Sequence, residues 1–273
     1  TRTVLVGESN SSTENGSQFW FPSISIPTGI PGHVAQHVTL AGDGKPCPRP
    51  GHPFQDCEEI LITRDAGSTY SVVKRVPHGT SGNMNGYGDL GTWVPAKKGA
   101  AVAGTFQTIV ACNGCPRTHH ASSWEYPAFL QTWVDDGSTL RVTKNVSIAF
   151  SGYPASFSSK TAKCANGLCG FSSPSQNIIR TADDNLLLAM YGHAAGAGNG
   201  SMYTTAYFSS KNGMAWQYAS RIDVTKGVPM AKSGEEGPCE PAMTTLADGR
   251  DLTALRHASG AALWMAYSSS NGR

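Results

Sequence analysis

The feature that most constrains this chain is a short turn motif that returns along it. Thr63-Arg64-Asp65-Ala66-Gly67-Ser68-Thr69-Tyr70 fits Ser/Thr-x-Asp-x-Gly-x-Thr-aromatic at every fixed place. Asp135-Asp136-Gly137-Ser138-Thr139-Leu140 fits the Asp-x-Gly-x-Thr core. Ser209-Ser210-Lys211-Asn212-Gly213-Met214-Ala215-Trp216 keeps the first Ser, the Gly and the closing aromatic, with Lys211 at the Asp place. Ser268-Ser269-Ser270-Asn271-Gly272 opens a fourth copy, which Arg273 cuts short. The chemistry of such a motif is local. Carboxylate and hydroxyl oxygens bond the backbone of a hairpin turn. The Gly supplies a corner with φ > 0, and the aromatic tucks under the turn. Asp65, Gly67, Asp135, Gly137, Gly213 and Trp216 are therefore expected to be structural, remote from any reacting group.

Each motif follows an apolar run that is β-branched or aromatic and bounded by Gly, Asn or Asp. Residues 59–63, 104–110, 185–191, 201–208 and 261–267 read as strands, and helical periodicity is nearly absent. With 31 Gly and 16 Pro among 273 residues, helical bundles and coiled coils are excluded. The 39% apolar content excludes disorder. The class is all-β. A net charge of +2 gives no general attraction for nucleic acid or an anionic membrane. No apolar run reaches the ~18–20 residues that span a bilayer. The chain opens at Thr1, which reads as a processed or excised segment. Sequons at Asn10, Asn15, Asn145 and Asn199, together with 7 Cys, point to a secreted or extracellular glycoprotein, although a lone sequon also arises by chance.

The motifs are Asp boxes, and the sequence resembles the sialidase superfamily of β-propellers. Further residues carry the resemblance. Phe19-Trp20-Phe21-Pro22-Ser23-Ile24 is similar to the family's opening Tyr-Arg-Ile-Pro-Ala-Leu strand. Residues Gln55 to Ile62 are similar to the acidic loop and strand before its first box. Cys239-Glu240-Pro241-Ala242, then Leu246-Ala247-Asp248-Gly249-Arg250 and Ala254-Leu255-Arg256, are similar to its Glu…Leu-x-Asp-Gly-Arg-Leu…Arg segment. The resemblance implies a six-bladed β-propeller of four-stranded antiparallel blades. Residues 19–273 would cover the first half or more of it, ending inside the fourth box. Residues 1–18 would form an N-terminal glycosylated segment, with Thr3-Val4-Leu5-Val6 as a candidate ring-closing strand.

The resemblance also implies a site. Glu240 falls where a Glu activates a nucleophilic Tyr, and Arg256 where a second carboxylate-binding arginine stands. Asp56 lies beside the acid/base Asp. Arg49, between Pro48 and Pro50, lies near an upstream arginine. The Tyr and the third arginine would lie beyond Arg273. The first arginine of the triad aligns with Trp20. An indole cannot grip a carboxylate as a guanidinium does. Trp20 is then either a platform for a neutral sugar ring or a residue packed between blades. Glu240 and Arg256 have bland readings too, as a capping or turn-bonding carboxylate and a solvated strand-end arginine paired to Asp248 or a similar acid. Two functions are implied: a propeller that binds or hydrolyses glycans, impaired by Trp20, or a non-catalytic structural or adhesion module contacting copies of itself or other extracellular proteins.

Other signals point to structure. Cys112 with Cys115, Cys47 with Cys57, and Cys164 with Cys169 bracket short loops and are disulfide candidates; Cys239 is left over. Cys112-Asn113-Gly114-Cys115 with His119 and His120 is too tightly spaced for a usual zinc finger. The remaining histidines are scattered. The Gly-rich run from Gly192 to Gly200 lacks the Lys-Ser/Thr of a phosphate cradle. The expectation is no metal and no cofactor.

Overall fold

The computed structural model describes residues 19–40, 58–76, 91–111, 128–154, 171–174, 178–192, 203–223, 237–257 and 263–269. These residues form strands and turns, with no helix among them. Strands β1 (Phe19–Pro27), β2 (Val34–Leu40), β3 (Glu58–Thr63) and β4 (Ser71–Val76) make a first antiparallel sheet in chain order. A second follows the same plan, with β5 (Thr92–Val94), β6 (Thr105–Ala111), β7 (Ala128–Asp135) and β8 (Leu140–Ser151). In the third, β9 (Phe171–Pro174) and β10 (Ile179–Arg180) share one side of β11 (Leu186–Gly192). Then come β12 (Thr204–Ser210) and β13 (Ala215–Ile222). The fourth holds β14 (Cys239–Thr245), β15 (Asp251–Arg256) and β16 (Trp264–Ser268). The apolar runs read from sequence are thus β3, β6, β11, β12 and β16.

Successive sheets stack face on face, and the alternation of side chains along each strand shows how. On β11, Leu186, Leu188 and Met190 pack with Ile109, Leu130, Phe150, Phe208 and Trp216, closing the space between the second and third sheets. Their neighbours Leu187 and Ala189 point the other way, toward Met243 of the fourth sheet, with Ile179 and Tyr207. A strand buried on both faces reads as a continuous apolar run rather than an alternating one, which is why Asn185 to Tyr191 stood out. Between the first two sheets lie Ile26, Ala35, Ile60, Ile62, Phe106, Trp133 and Leu140. The 12-residue β8 also reaches the next sheet: Ala149–Ser151 pair in parallel with Ala215–Gln217 of β13.

Turns at one rim are bonded to one another across the sheets. Asp135, at the end of β7, accepts the Thr28 hydroxyl from the β1–β2 turn at 2.8 Å, and its backbone N–H donates to Gly104 O at 2.8 Å. Gly104 has φ 72° and lies so close to Asp135 that any Cβ would collide with its carbonyl. Arg180, the last residue of β10, donates to Pro95 O at 2.9 Å. Thr245, entering the β14–β15 turn, donates to Arg180 O at 3.4 Å. These contacts align the sheets end to end, so the other strand ends share the opposite rim. Phe19 pairs there with Leu40, Thr39 with Glu58, and Cys239 with Arg256.

Candidate functional site

At that opposite rim the fourth sheet carries a charged pair. Arg256, the last residue of β15, donates from Nη1 to Oε1 of Glu240 at 2.6 Å. The pairing of β14 with β15 is irregular between Cys239 and Ala242, so Glu240 and Pro241 occupy a bulge. A bulge re-aims a side chain out of the regular alternation. Here it comes with φ 45° at Glu240, a left-handed value that costs a non-glycine residue about 1–2 kcal/mol. Such a conformation persists only when its surroundings over-determine it. Cys239 and Leu255 are buried beside the pair, and His257 is buried and stacked on Trp264 at a ring distance of 4.0 Å. A firm base therefore holds two charged heads that remain partly open to solvent.

Arg256 is a strand-end arginine paired to an acid, as its bland reading has it, but that acid is Glu240 rather than Asp248. Asp248 is bonded instead by Arg250, from Nε at 2.8 Å and from its backbone N–H at 3.1 Å. Arg250 also lies over the Tyr267 ring at 5.2 Å.

The turn motifs behave as local hydrogen-bond devices, with two shifts of position. In the first, Asp65 accepts the Thr69 hydroxyl at 2.7 Å, the Thr69 N–H at 2.8 Å and the Thr63 hydroxyl at 2.8 Å. Gly67 donates to Thr63 Oγ1 at 2.8 Å. In the second, the residue that holds the turn is Asp136, not Asp135. Asp136 accepts the N–H and hydroxyl of both Ser138 and Thr139 at 2.7–3.0 Å. Asp135 is turned inward instead, taking the Thr28 hydroxyl, the Gly137 N–H at 3.1 Å and His33 Nδ1 at 2.8 Å. Burial pushes its carboxyl up, but the bonds to His33, Thr28 and Gly137 outweigh this and leave it below the ordinary value. In the third motif, Asn212 and not Lys211 accepts the turn N–H groups, from Met214 at 2.9 Å and Ala215 at 3.3 Å. The amide oxygen does what a carboxylate does elsewhere. Gly67, Gly137 and Gly213 have φ of 90°, 90° and 76°. Trp216 lies under its turn, donating from Nε1 to Gly213 O at 2.9 Å.

No family model matches the chain, and no curated protein matches it. Solved structures do. Trypanosoma rangeli sialidase superposes with a TM-score of 0.51 at 16% identity, covering 97% of this chain and 39% of that one. The same sialidase with 2-keto-3-deoxy-D-glycero-D-galacto-2,3-difluoro-nononic acid gives 0.53 at 16% identity, over 94% and 37%. The fold is the sialidase-type β-propeller. An endo-arabinase from Bacteroides thetaiotaomicron VPI-5482 gives 0.49 at 13% identity, over 94% and 77%. The chain spans 37% of the length of the first of the sialidase structures it matches.

In that fold the antiparallel strand groups correspond to blades, and Glu240 and Arg256 lie at the rim opposite the bonded turns. Trp20 is in β1, beside the Phe19–Leu40 pair at the same rim. Its side chain lies outside the described residues, as do Arg49 and Asp56, which belong to the chain between β2 and β3. The structure thus brings two of the candidate site residues together, with a backbone position for a third. Residues 1–18 with Asn10 and Asn15, Asn199, and Cys47, Cys57, Cys112, Cys115, Cys164 and Cys169 also lie outside the described residues. Cys239 is buried. Among the described residues no three His, Cys, Asp or Glu side chains gather as a metal site, and no helix is long and apolar enough to cross a membrane.

His33 and Thr28 escaped the sequence reading. They carry no motif of their own and acquire a role only when two blades meet. The Asp135-Asp136 doublet was a usable signal: two adjacent acids ahead of a Gly leave either able to hold the turn.

Proposed function

We propose that the Glu240–Arg256 rim is the glycan-facing site of a propeller that binds or hydrolyses glycans. The observation that carries this reading is the placement of Glu240. A left-handed backbone and a bulge are spent on aiming a carboxylate at a guanidinium on an open rim. An exposed ion pair is worth about 0–1 kcal/mol, too little to account for such a placement by stability. Strained positions of this kind cluster at binding and catalytic sites. The likeness in fold to a sialidase supports the same reading, by analogy of fold alone.

Glu240 offers acceptors and Arg256 donors side by side. Adjacent sugar hydroxyls need that combination, because each hydroxyl both gives and takes a hydrogen bond. Arg256 can also take a sugar carboxylate. Catalysis would need the acid/base role of Asp56 as well, and Trp20 in place of an arginine argues for weakened grip on a sialic acid carboxylate.

Calorimetry with a sialyl-oligosaccharide and with neutral oligosaccharides tests the reading. Saccharide binding should weaken at least about tenfold in both Glu240→Gln and Arg256→Ala, equivalent to 1.4 kcal/mol, while far-ultraviolet circular dichroism stays unchanged. Absence of binding and turnover across a broad glycan panel would sink it. Trp20 favours the second reading, a structural or adhesion module; that module would bind no sugar yet associate with its own copies or with other extracellular proteins.

A further inference from the structure

We propose that Asn145 carries an N-linked glycan, and that this glycan closes the free edge of β8 to other strands. The inference is independent of the glycan-facing rim.

The long strand β8 is the outermost strand of the second blade. Its inner edge pairs with β7 from Leu140 to Ile148. On its outer edge, the pairing among the described residues is confined to Ala149–Ser151, against β13. Among the described residues, no strand pairs with the outer edge from Arg141 to Ile148, and Arg141, Thr143, Lys144, Asn145 and Ser147 along it are exposed. A long strand edge of this kind is a template for pairing with another chain. Native proteins blunt such edges, usually with charge, proline or a bulge. This stretch has a register irregularity near its start, opposite Thr132 and Trp133, and carries Arg141 and Lys144. Val146 and Ile148 beyond it are apolar and partly buried, and the sequence around them, Asn145-Val146-Ser147-Ile148-Ala149-Phe150, is neutral. This is β-prone sequence whose gatekeeper charges, Arg141 and Lys144, stand only on its N-terminal side.

At the centre of the open stretch stands Asn145-Val146-Ser147, with both Asn145 and Ser147 exposed. It is the one of the four sequons that lies within the described residues. Asn145 sits across from Gln131 of β7. A strand added on the outer side would lie about 4.8 Å away, with its side chain about 4.5–5.5 Å from that of Asn145. A sugar bonded to the Asn145 amide occupies that place. The glycan thus supplies the bulky, solvated block that this edge otherwise lacks.

The modification balances simply. The Asn145 amide nitrogen forms a bond to C1 of a lipid-diphosphate-linked oligosaccharide. The C1–O bond breaks, the lipid diphosphate leaves with the electron pair, and the amide proton passes to a base of the transferase. The Ser147 hydroxyl is the element such a transferase reads.

The test uses the full chain made with a secretory leader in a eukaryotic cell. Peptide mass spectrometry after enzymatic release in heavy-oxygen water should find Asn145 converted to a labelled Asp. Sedimentation should show the glycosylated protein unassociated. Asn145→Gln and Ser147→Ala should each show several-fold more self-associated material at equal concentration, with unchanged circular dichroism. An unmodified Asn145 peptide overturns the proposal. So does glycosylated protein whose two variants remain as dispersed as the parent. Self-association of Asn145→Gln alone would also overturn it, since Ser147→Ala loses the same glycan while keeping the amide.

Discussion

Asp135 and His33 meet at 2.8 Å across the junction of the first two blades. Asp135 comes from the end of β7 and His33 from the β1–β2 turn. The carboxylate is wholly buried, and Arg64 Nη2 lies 4.0 Å from it. It also takes the Thr28 hydroxyl and the Gly137 N–H. A buried acceptor with this many donors cannot be removed cheaply, because each donor is left without its partner. Asp135→Ala should cost about 2–4 kcal/mol and Thr28→Val about 1 kcal/mol. Urea unfolding at neutral pH measures both. Equal, sub-kilocalorie losses would show that the junction does not depend on this carboxylate.

Acid should loosen the turns in a defined window. The Thr69 hydroxyl and N–H and the Thr63 hydroxyl hold the Asp65 carboxyl at about 2, against an ordinary 3.8. Backbone bonds from Thr139 and Ser138, with their hydroxyls, hold Asp136 well below its ordinary value. A folded-state pKa below the unfolded one means that the folded protein binds fewer protons. The stabilisation is therefore complete above the ordinary carboxyl value and is lost as the pH falls toward 2. Asp251 works in the opposite sense, since burial raises its carboxyl. Stability measured from pH 5 downward should fall less steeply in Asp65→Asn than in the parent, the variant starting lower at pH 5. Identical slopes would contradict the assignment.

Trp216 separates packing from hydrogen bonding at the third turn. Its ring lies 6.2 Å from that of Phe150 in a stacked arrangement, and its Nε1 bonds Gly213 O. Trp216→Phe keeps an aromatic in the core but drops the indole bond, at a cost of about 1–2 kcal/mol. Trp216→Ala opens a cavity between two blades and should cost about 3–5 kcal/mol. Denaturant midpoints with unchanged slope would check the order. A Phe variant as damaged as the Ala variant would put the stability in the bond rather than in the packing.

What the sequence made legible follows from what is local. A turn bonded to its own backbone is written in consecutive residues, so the motifs at Asp65 and Gly213 could be read directly. The doubly buried β11 shows as an unbroken apolar run. Nonlocal chemistry leaves weaker marks. The choice between Asp135 and Asp136 is made by Thr28 and His33, about a hundred residues away in the chain. The length of β8 depends on β13, whose pairing extends it to Ser151. At the candidate site, Glu240 and Arg256 were visible by resemblance, yet neither the bulge nor the left-handed backbone could be read from Cys239-Glu240-Pro241. A residue forced into that conformation would ordinarily be expected to be Gly or Asn.

That mismatch gives the sharpest prediction. If Glu240 is kept for what its side chain does at the rim, its backbone is a standing cost. Glycine adopts φ near 45° without a Cβ penalty, whereas alanine keeps the penalty and loses the carboxylate. Both variants give up the bond to Arg256, which is worth about 0–1 kcal/mol at this exposure. Glycine also carries more entropy in the unfolded chain, which offsets part of the relief. Glu240→Gly should nonetheless be more stable than Glu240→Ala by about 0.5–1 kcal/mol, and at least as stable as the parent. Both should lose saccharide binding. Thermal unfolding of the three proteins, read beside calorimetry with the same sugar, checks the two halves together. A Gly variant less stable than the Ala variant would mean that the backbone at 240 is unstrained, and the argument from strain to function at this rim would fall with it.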